Sequence, residues 1–368
     1  MANKWIEGRR GAVTPFLAVA VLVIVSGLFQ VIFIGCRGEI AQCEPFNISY
    51  IFPVNTSNPI KDNVVTGEDQ DKIIKNRKVI AERYNGRIAW VFLMSTTVLF
   101  YVASLFAFGR LIYKSSSFRH ETASTRTTIS IVLAFSFGIL QWLFPDSYAP
   151  FIRRVIEVTI AQGQIGMPVI FETLNLINAL SSIATFSLVV ASCAVLIPRE
   201  TVVKTDTSDE DVVPKEADQM ANGAPAEIDT RFAVVSEQMK DLQVVLYIGA
   251  FLLILSVLRF NVVTQWSLAF ISPDAIEAAK SFYLSLSSVV ATFFSLILAA
   301  AYLPAAYILL RRAQLLAGEL PLPPNKQEEM LKSKGLTFSL GESLPRVLAI
   351  FGPLLAGPIG ELFKILLT

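Results

Sequence analysis

The chain has 368 residues, of which 53% are hydrophobic and 17% charged, with 31 Lys and Arg against 30 Asp and Glu. An ordinary soluble domain carries about 25% charged residues, so this composition sets aside a soluble multidomain chain. A net charge of +1 without a basic, aromatic-laced stripe sets aside nucleic acid as a partner, and three Cys with a single His, scattered from Cys36 to Cys193, lack the spacing of a Cys/His zinc site.

Residues 1–11 are short and basic, and Ala12 to Gly35 is an apolar run of 24 residues. That exceeds the 7–15-residue core of a cleavable signal peptide, so it reads as a retained first span. The motif Phe33-Ile34-Gly35-Cys36 is similar to a bacterial lipobox, with Phe33 in place of the usual aliphatic residue.

Residues 36–87 form a polar segment with Cys36, Cys43, two N-x-S/T sequons and prolines at 45, 53 and 59. In an oxidising compartment Cys36 and Cys43 are candidates for a disulfide that closes a small loop. From Glu68 to Arg87, Ile73, Arg77, Ile80 and Tyr84 share a helical face. This helix is expected to run into a second span, Ile88 to Tyr113, with Gly86 as its one weak point. A short basic loop, 114–126, leads to a third span that ends at Pro145, and a second loop, 146–168, leads to a fourth span, about 169–197.

Residues 199–229 are acidic and without aromatics, and read as a disordered linker. Asp229 or Thr230 is expected to cap a helix on which Val235, Met239 and Leu242 share a face, and which continues into the fifth span. The fifth and sixth spans form a hairpin from Gln243 to Arg312, broken at Ser272–Lys280. Each arm exceeds the ~20 residues that cross a ~30 Å hydrocarbon core, where helix satisfies every backbone polar group internally. After a polar, proline-containing stretch at 313–344, the apolar segment Val347 to Ile359 is interrupted by two Gly-Pro pairs. It reads as an interfacial or re-entrant helix rather than a seventh crossing.

The sequence therefore predicts an all-α polytopic membrane protein: three hairpins (1–113, 114–198 and 230–312), a linker at 199–229, and a C-terminal unit at 313–368. Leu180-Ser181-Ser182 and Leu286-Ser287-Ser288 each precede a proline by the same interval, which suggests a parallel repeat of two hairpins. With the N-terminus inside, twelve Lys and Arg near span ends lie inside and nine outside, so the expected topology is N-in, in the plasma or inner cell membrane.

Charge inside a span normally faces protein or water, which singles out Arg259. On the fourth span Glu172, Asn175, Asn178 and Ser182 make a polar stripe at helical spacing, and Glu172 is expected to pair with Arg259. On the sixth, Ser285, Ser288, Thr292 and Ser295 with Ala299 to Ala301 point to close helix packing. Cys193 reads as a small core residue, and His120 as a solvated loop residue. No phosphate-binding, nucleophile-elbow, zincin or dinucleotide motif is present, so neither an enzyme nor a cofactor is expected. Two functions remain. One is a membrane scaffold or sensor that meets a protein partner, or a second copy of itself, through 68–87 or 199–243. The other is a channel or transporter with its pathway near Glu172 and Arg259.

Overall fold

The computed structural model describes residues 70–115, 121–143, 167–197, 219–320, 323–336 and 344–356. The described residues are all-helical, in chain order α1 (Gln70–Lys114), α2 (Glu121–Leu143), α3 (Met167–Val195), α4 (Gln219–Leu268), α5 (Ile276–Gly318), α6 (Pro324–Ser333) and α7 (Leu344–Ala356). Four stretches, Asn85–Lys114, Thr173–Val195, Ile228–Leu268 and Ile276–Gly318, are long and apolar enough to cross a membrane. The expected first span, 12–35, lies outside the described residues, as do Cys36, Cys43, His120 and residues 199–218 of the linker. The expected third span corresponds to α2, a helix of 23 residues.

Helix α4 is the axis of the bundle. It packs against α1, α3 and α5, while α2 packs on α3. The helices alternate in direction. At one end of the bundle, Trp90 of α1 meets Trp266 of α4 at 5.7 Å between ring centroids. At the other, Lys114 of α1 meets Glu237 and Asp241 of α4. These are called below the tryptophan end and the lysine end. At 50 residues, α4 is about 75 Å long, more than twice the ~30 Å hydrocarbon core. Helix α5, with 43 residues, is about 65 Å. The hairpin therefore projects beyond the bilayer at the lysine end.

Several expectations hold. Helix α1 passes from the polar segment into its apolar half without a break at Gly86. Instead of weakening the helix, Gly86 seats the Trp266 side chain: a Cβ there would collide with the indole. Val235, Met239 and Leu242 are buried on one face of α4, and Cys193 is buried in the core. The outward side chains of α1 stay bare, with Phe92, Leu99 and Phe106 71–77% exposed, a contiguous apolar face suited to lipid.

Other expectations are corrected. Helix α4 starts at Gln219, so Asp229 and Thr230 lie inside it rather than at its N-cap, and 219–229 is helical. The helix includes Gly223 and Pro225, both poor helix formers, and the acidic run lies upstream of it. The break in the hairpin spans only 269–275; α5 has begun by Ile276, with Glu277 in its first turn facing the positive helix end.

The polar stretch after α5 contains a helix that the sequence reading missed. Pro324 occupies its first turn, where a missing N–H costs nothing. Gly335, at φ 68°, ends it, with the Leu336 N–H bonded to the Leu331 carbonyl at 2.8 Å in a Schellman closure. Helix α7 is not laid across the end of the bundle. Gly352 rests on Ile254, and Ala356 on Val257 and Ala291, so α7 lies along the α4/α5 hairpin.

The proposed repeat meets a difference in the two prolines. Pro304 sits inside the continuous helix α5, whereas α3 has ended by Val195, before Pro198.

Candidate functional site

Because α4 touches three spanning neighbours, the polar residues along it decide what the bundle interior can do. Lipid supplies no hydrogen-bonding partner, so each interior polar group needs one from another helix or its own backbone. Each neighbour of α4 is met by at least one such bond. Tyr101 of α1 and Ser256 of α4 share a hydrogen bond of 2.6 Å between buried hydroxyls. Arg259 Nη2 donates to Asn178 Oδ1 of α3 at 3.0 Å. Ser287 of α5 donates to Asn261 Oδ1, and Ser267 Oγ bonds the Tyr283 hydroxyl of α5 at 3.0 Å. Such bonds average about 0.6 kcal/mol in membrane proteins. Tyr101→Phe is accordingly expected to cost about 0.5–1 kcal/mol, measured by thermal unfolding in detergent, and to leave the fold intact.

Of the expected polar stripe on α3, it is Asn178 that meets Arg259. Asn175 and Ser182 are part-buried on the same helix. Glu172 falls within the helical span of α3, but its side chain lies outside the described residues. Arg259 makes no ion pair among the described residues, and its Nη1 is buried without a hydrogen-bond partner.

The stripe expected on α5 is corrected. Ser285, Ser288 and Thr292 are exposed and return their hydroxyls to their own helix, at Ser281, Leu284 and Ser288 carbonyls. The buried line is Ala279, Tyr283, Ser287, Ala291 and Ser295, stepping by four because α5 lays its i±4 ridge against its neighbours.

A second polar assembly, at the lysine end, was not legible beforehand. Gln238 is buried, and its Nε2 donates to the carbonyls of Val195 and Ile197 at 2.7 and 2.8 Å. Arg312 Nη1 donates to the Leu196 carbonyl between them at 2.7 Å. Three carbonyls at the C-terminus of α3, unsatisfiable within the helix, are thus capped by side chains from α4 and α5, and the Arg312 cation faces the negative helix end. Lys114, the last residue of α1, places Nζ 2.9 Å from Glu237 and 3.0 Å from Asp241. The two carboxylates stand one turn apart on α4 and repel; the ammonium offsets that. The hint in the sequence was Glu237-Gln238 followed by Asp241 on an otherwise apolar helix face.

Beyond this assembly, Lys334 bonds Asp229 at 3.0 Å and lies 5.2 Å from the centre of the Phe232 ring, which ties the end of α6 to α4. A cleft of about 440 Å³ opens between α5 and α6, floored by Leu310, Ala317, Leu331 and Leu336 and edged by Gln314 and Glu328. Among the described residues no group of His, Cys, Asp and Glu is placed to hold a metal ion. The chain matches no protein-family model, no curated protein and no solved structure.

Proposed function

We propose that this is a multi-pass membrane scaffold, without enzymatic activity, that presents a rigid helical platform to a protein partner at the lysine end. The observation that supports this reading is the fastening of that end: side chains of α4 and α5 cap α3, clamp α1 and hold α6. Many secondary transporters build their binding sites from discontinuous helices, whereas here two helices run unbroken along the bundle into the platform. The interior hydroxyls and amides join α4 to its neighbours, as polar residues that bind helices together do. The remaining features of the reading are six spans, with 12–35 and α2 completing the set, and an inward N-terminus that puts the platform on the cytoplasmic side.

The test combines flux with surface substitution. Proteoliposomes holding the wild-type chain should pass no more ions than empty vesicles. In cells, Lys240→Glu and Lys326→Glu, at exposed positions on α4 and α6, should reproduce the phenotype of deleting the gene while leaving expression and thermal stability unchanged, since exposed substitutions seldom exceed about 0.5 kcal/mol. Flux through the wild-type protein that Arg259→Leu alters would replace this reading with the channel.

A further inference from the structure

Arg259 stands out from the other interior polar residues. Its Nη2 is satisfied by Asn178, its Nη1 is buried with no partner, and no described carboxylate neutralises it. A charge at the centre of a span costs at least ~2.5–3.5 kcal/mol, and one left buried and unpaired costs more than a paired one. We propose that Arg259 and Asn178 form a binding site for a small oxyanion, a carboxylate or phosphate group, in the seam between α3 and α4.

The donor set fits that chemistry. The Asn178 oxygen is committed to the arginine, which leaves the amide NH2 as donor. A guanidinium edge beside an amide N–H offers parallel donors at the spacing that carboxylate and phosphate oxygens accept. One turn to either side of Arg259 on the same face of α4 lie the buried Leu255 and Val263, so the donors sit among apolar side chains and the attraction is stronger than in solution.

Asn178 is eleven residues from the start of α3 at Met167, and Arg259 nine from the end of α4 at Leu268, so the pair lies about 14–17 Å along the helices from their tryptophan-end termini. Two sources carry this chemistry, a free anion and the phosphate of a lipid headgroup. Both sources offer the same oxygens, and a test can tell them apart. The site is independent of the scaffold reading, because binding without flux is compatible with it.

In the first arm, full-length protein in an uncharged detergent, stripped of lipid, is unfolded thermally while inorganic phosphate or acetate replaces chloride at constant ionic strength. A free-anion site raises the midpoint saturably. Arg259→Gln should abolish the response, and Asn178→Ala should weaken apparent affinity about tenfold, the loss of one hydrogen bond to a charged group. Arg259→Lys should keep a phosphate response and lose the acetate response, since it cannot present two parallel donors. If Arg259→Gln does not fold, Asn178→Ala and Arg259→Lys carry the test. In the second arm, nanodiscs of phosphatidylcholine with and without phosphatidylglycerol are compared by native mass spectrometry. A lipid-phosphate site retains one anionic lipid in the wild type and none in Arg259→Gln.

No response in either arm, or the same response in Arg259→Gln as in wild type, overturns the proposal. Glu172→Gln should leave the response intact. If it instead creates a response that the wild type lacks, the chain's own carboxylate fills the site and no external anion does, which also overturns it.

Discussion

Gly138→Leu is expected to destabilise the protein by about 3 kcal/mol, at the upper end of the usual cost of overpacking, and to detach α2 from α3. Any Cβ at Gly138 collides with Ile183 Cγ1, comes within 2.7 Å of Ile183 Cδ1 and lies 3.2 Å from the Ala179 carbonyl oxygen. Ile183 is branched at Cβ and held to one rotamer in a helix, and a backbone oxygen cannot turn aside. Even Gly138→Ala should lose stability, because the clash outweighs the ~1 kcal/mol that alanine contributes to helix propensity. Gly249→Ala is the control. Its Cβ would come 2.5 Å from Leu188 Cδ1 and 3.2 Å from Leu298 Cδ1, the far ends of side chains that can rotate. Overpacking and propensity should then nearly cancel, to within about 1 kcal/mol. Thermal unfolding in detergent compares the variants; equal behaviour of the two alanine changes would show that α2 does not approach α3 this closely.

Gln238→Glu is expected to be the most damaging single change at the lysine end, and worse than Gln238→Leu although it is closer in shape. The leucine leaves the Val195 and Ile197 carbonyls without their donor, at about 1–3 kcal/mol for each buried polar group left unsatisfied. The carboxylate does the same and adds negative charge against carbonyl oxygens at the negative end of α3. It avoids that only by protonating, so its penalty should shrink as pH falls, while that of Gln238→Leu should not change. Unfolding of both variants across pH reads the difference; equal penalties at all pH values would mean that Gln238 does not face these carbonyls.

Helix α2 shows what the sequence carried and what went unread. Its buried line is Ser130, Ala134 and Gly138, small residues spaced by four, a pattern that lets helix backbones approach. That signal was present in the residues, but a hydropathy reading of the same stretch registers only an apolar run. Helix α6 is similar: its proline start and glycine stop were present in a stretch that reads as polar.

By itself the sequence determined the helical, membrane-embedded class. Apolar runs of the length of 243–271 and 281–310 have no other way to satisfy their backbone in lipid, and this holds whatever they pack against. It also located Arg259 and Asn178, since amide and guanidinium groups are conspicuous on apolar helices. Only the tertiary structure decided which partners they meet. Contacts such as Gln238 with the α3 carbonyls or Lys114 with Asp241 join residues 41–127 apart along the chain, and helical periodicity gives the face of a residue but not which helix lies opposite. The same limit explains the serines of α5. Ser287 and Ser288 are neighbours in sequence, yet one is buried on Asn261 and the other exposed, a division set by the line along which α5 crosses α4.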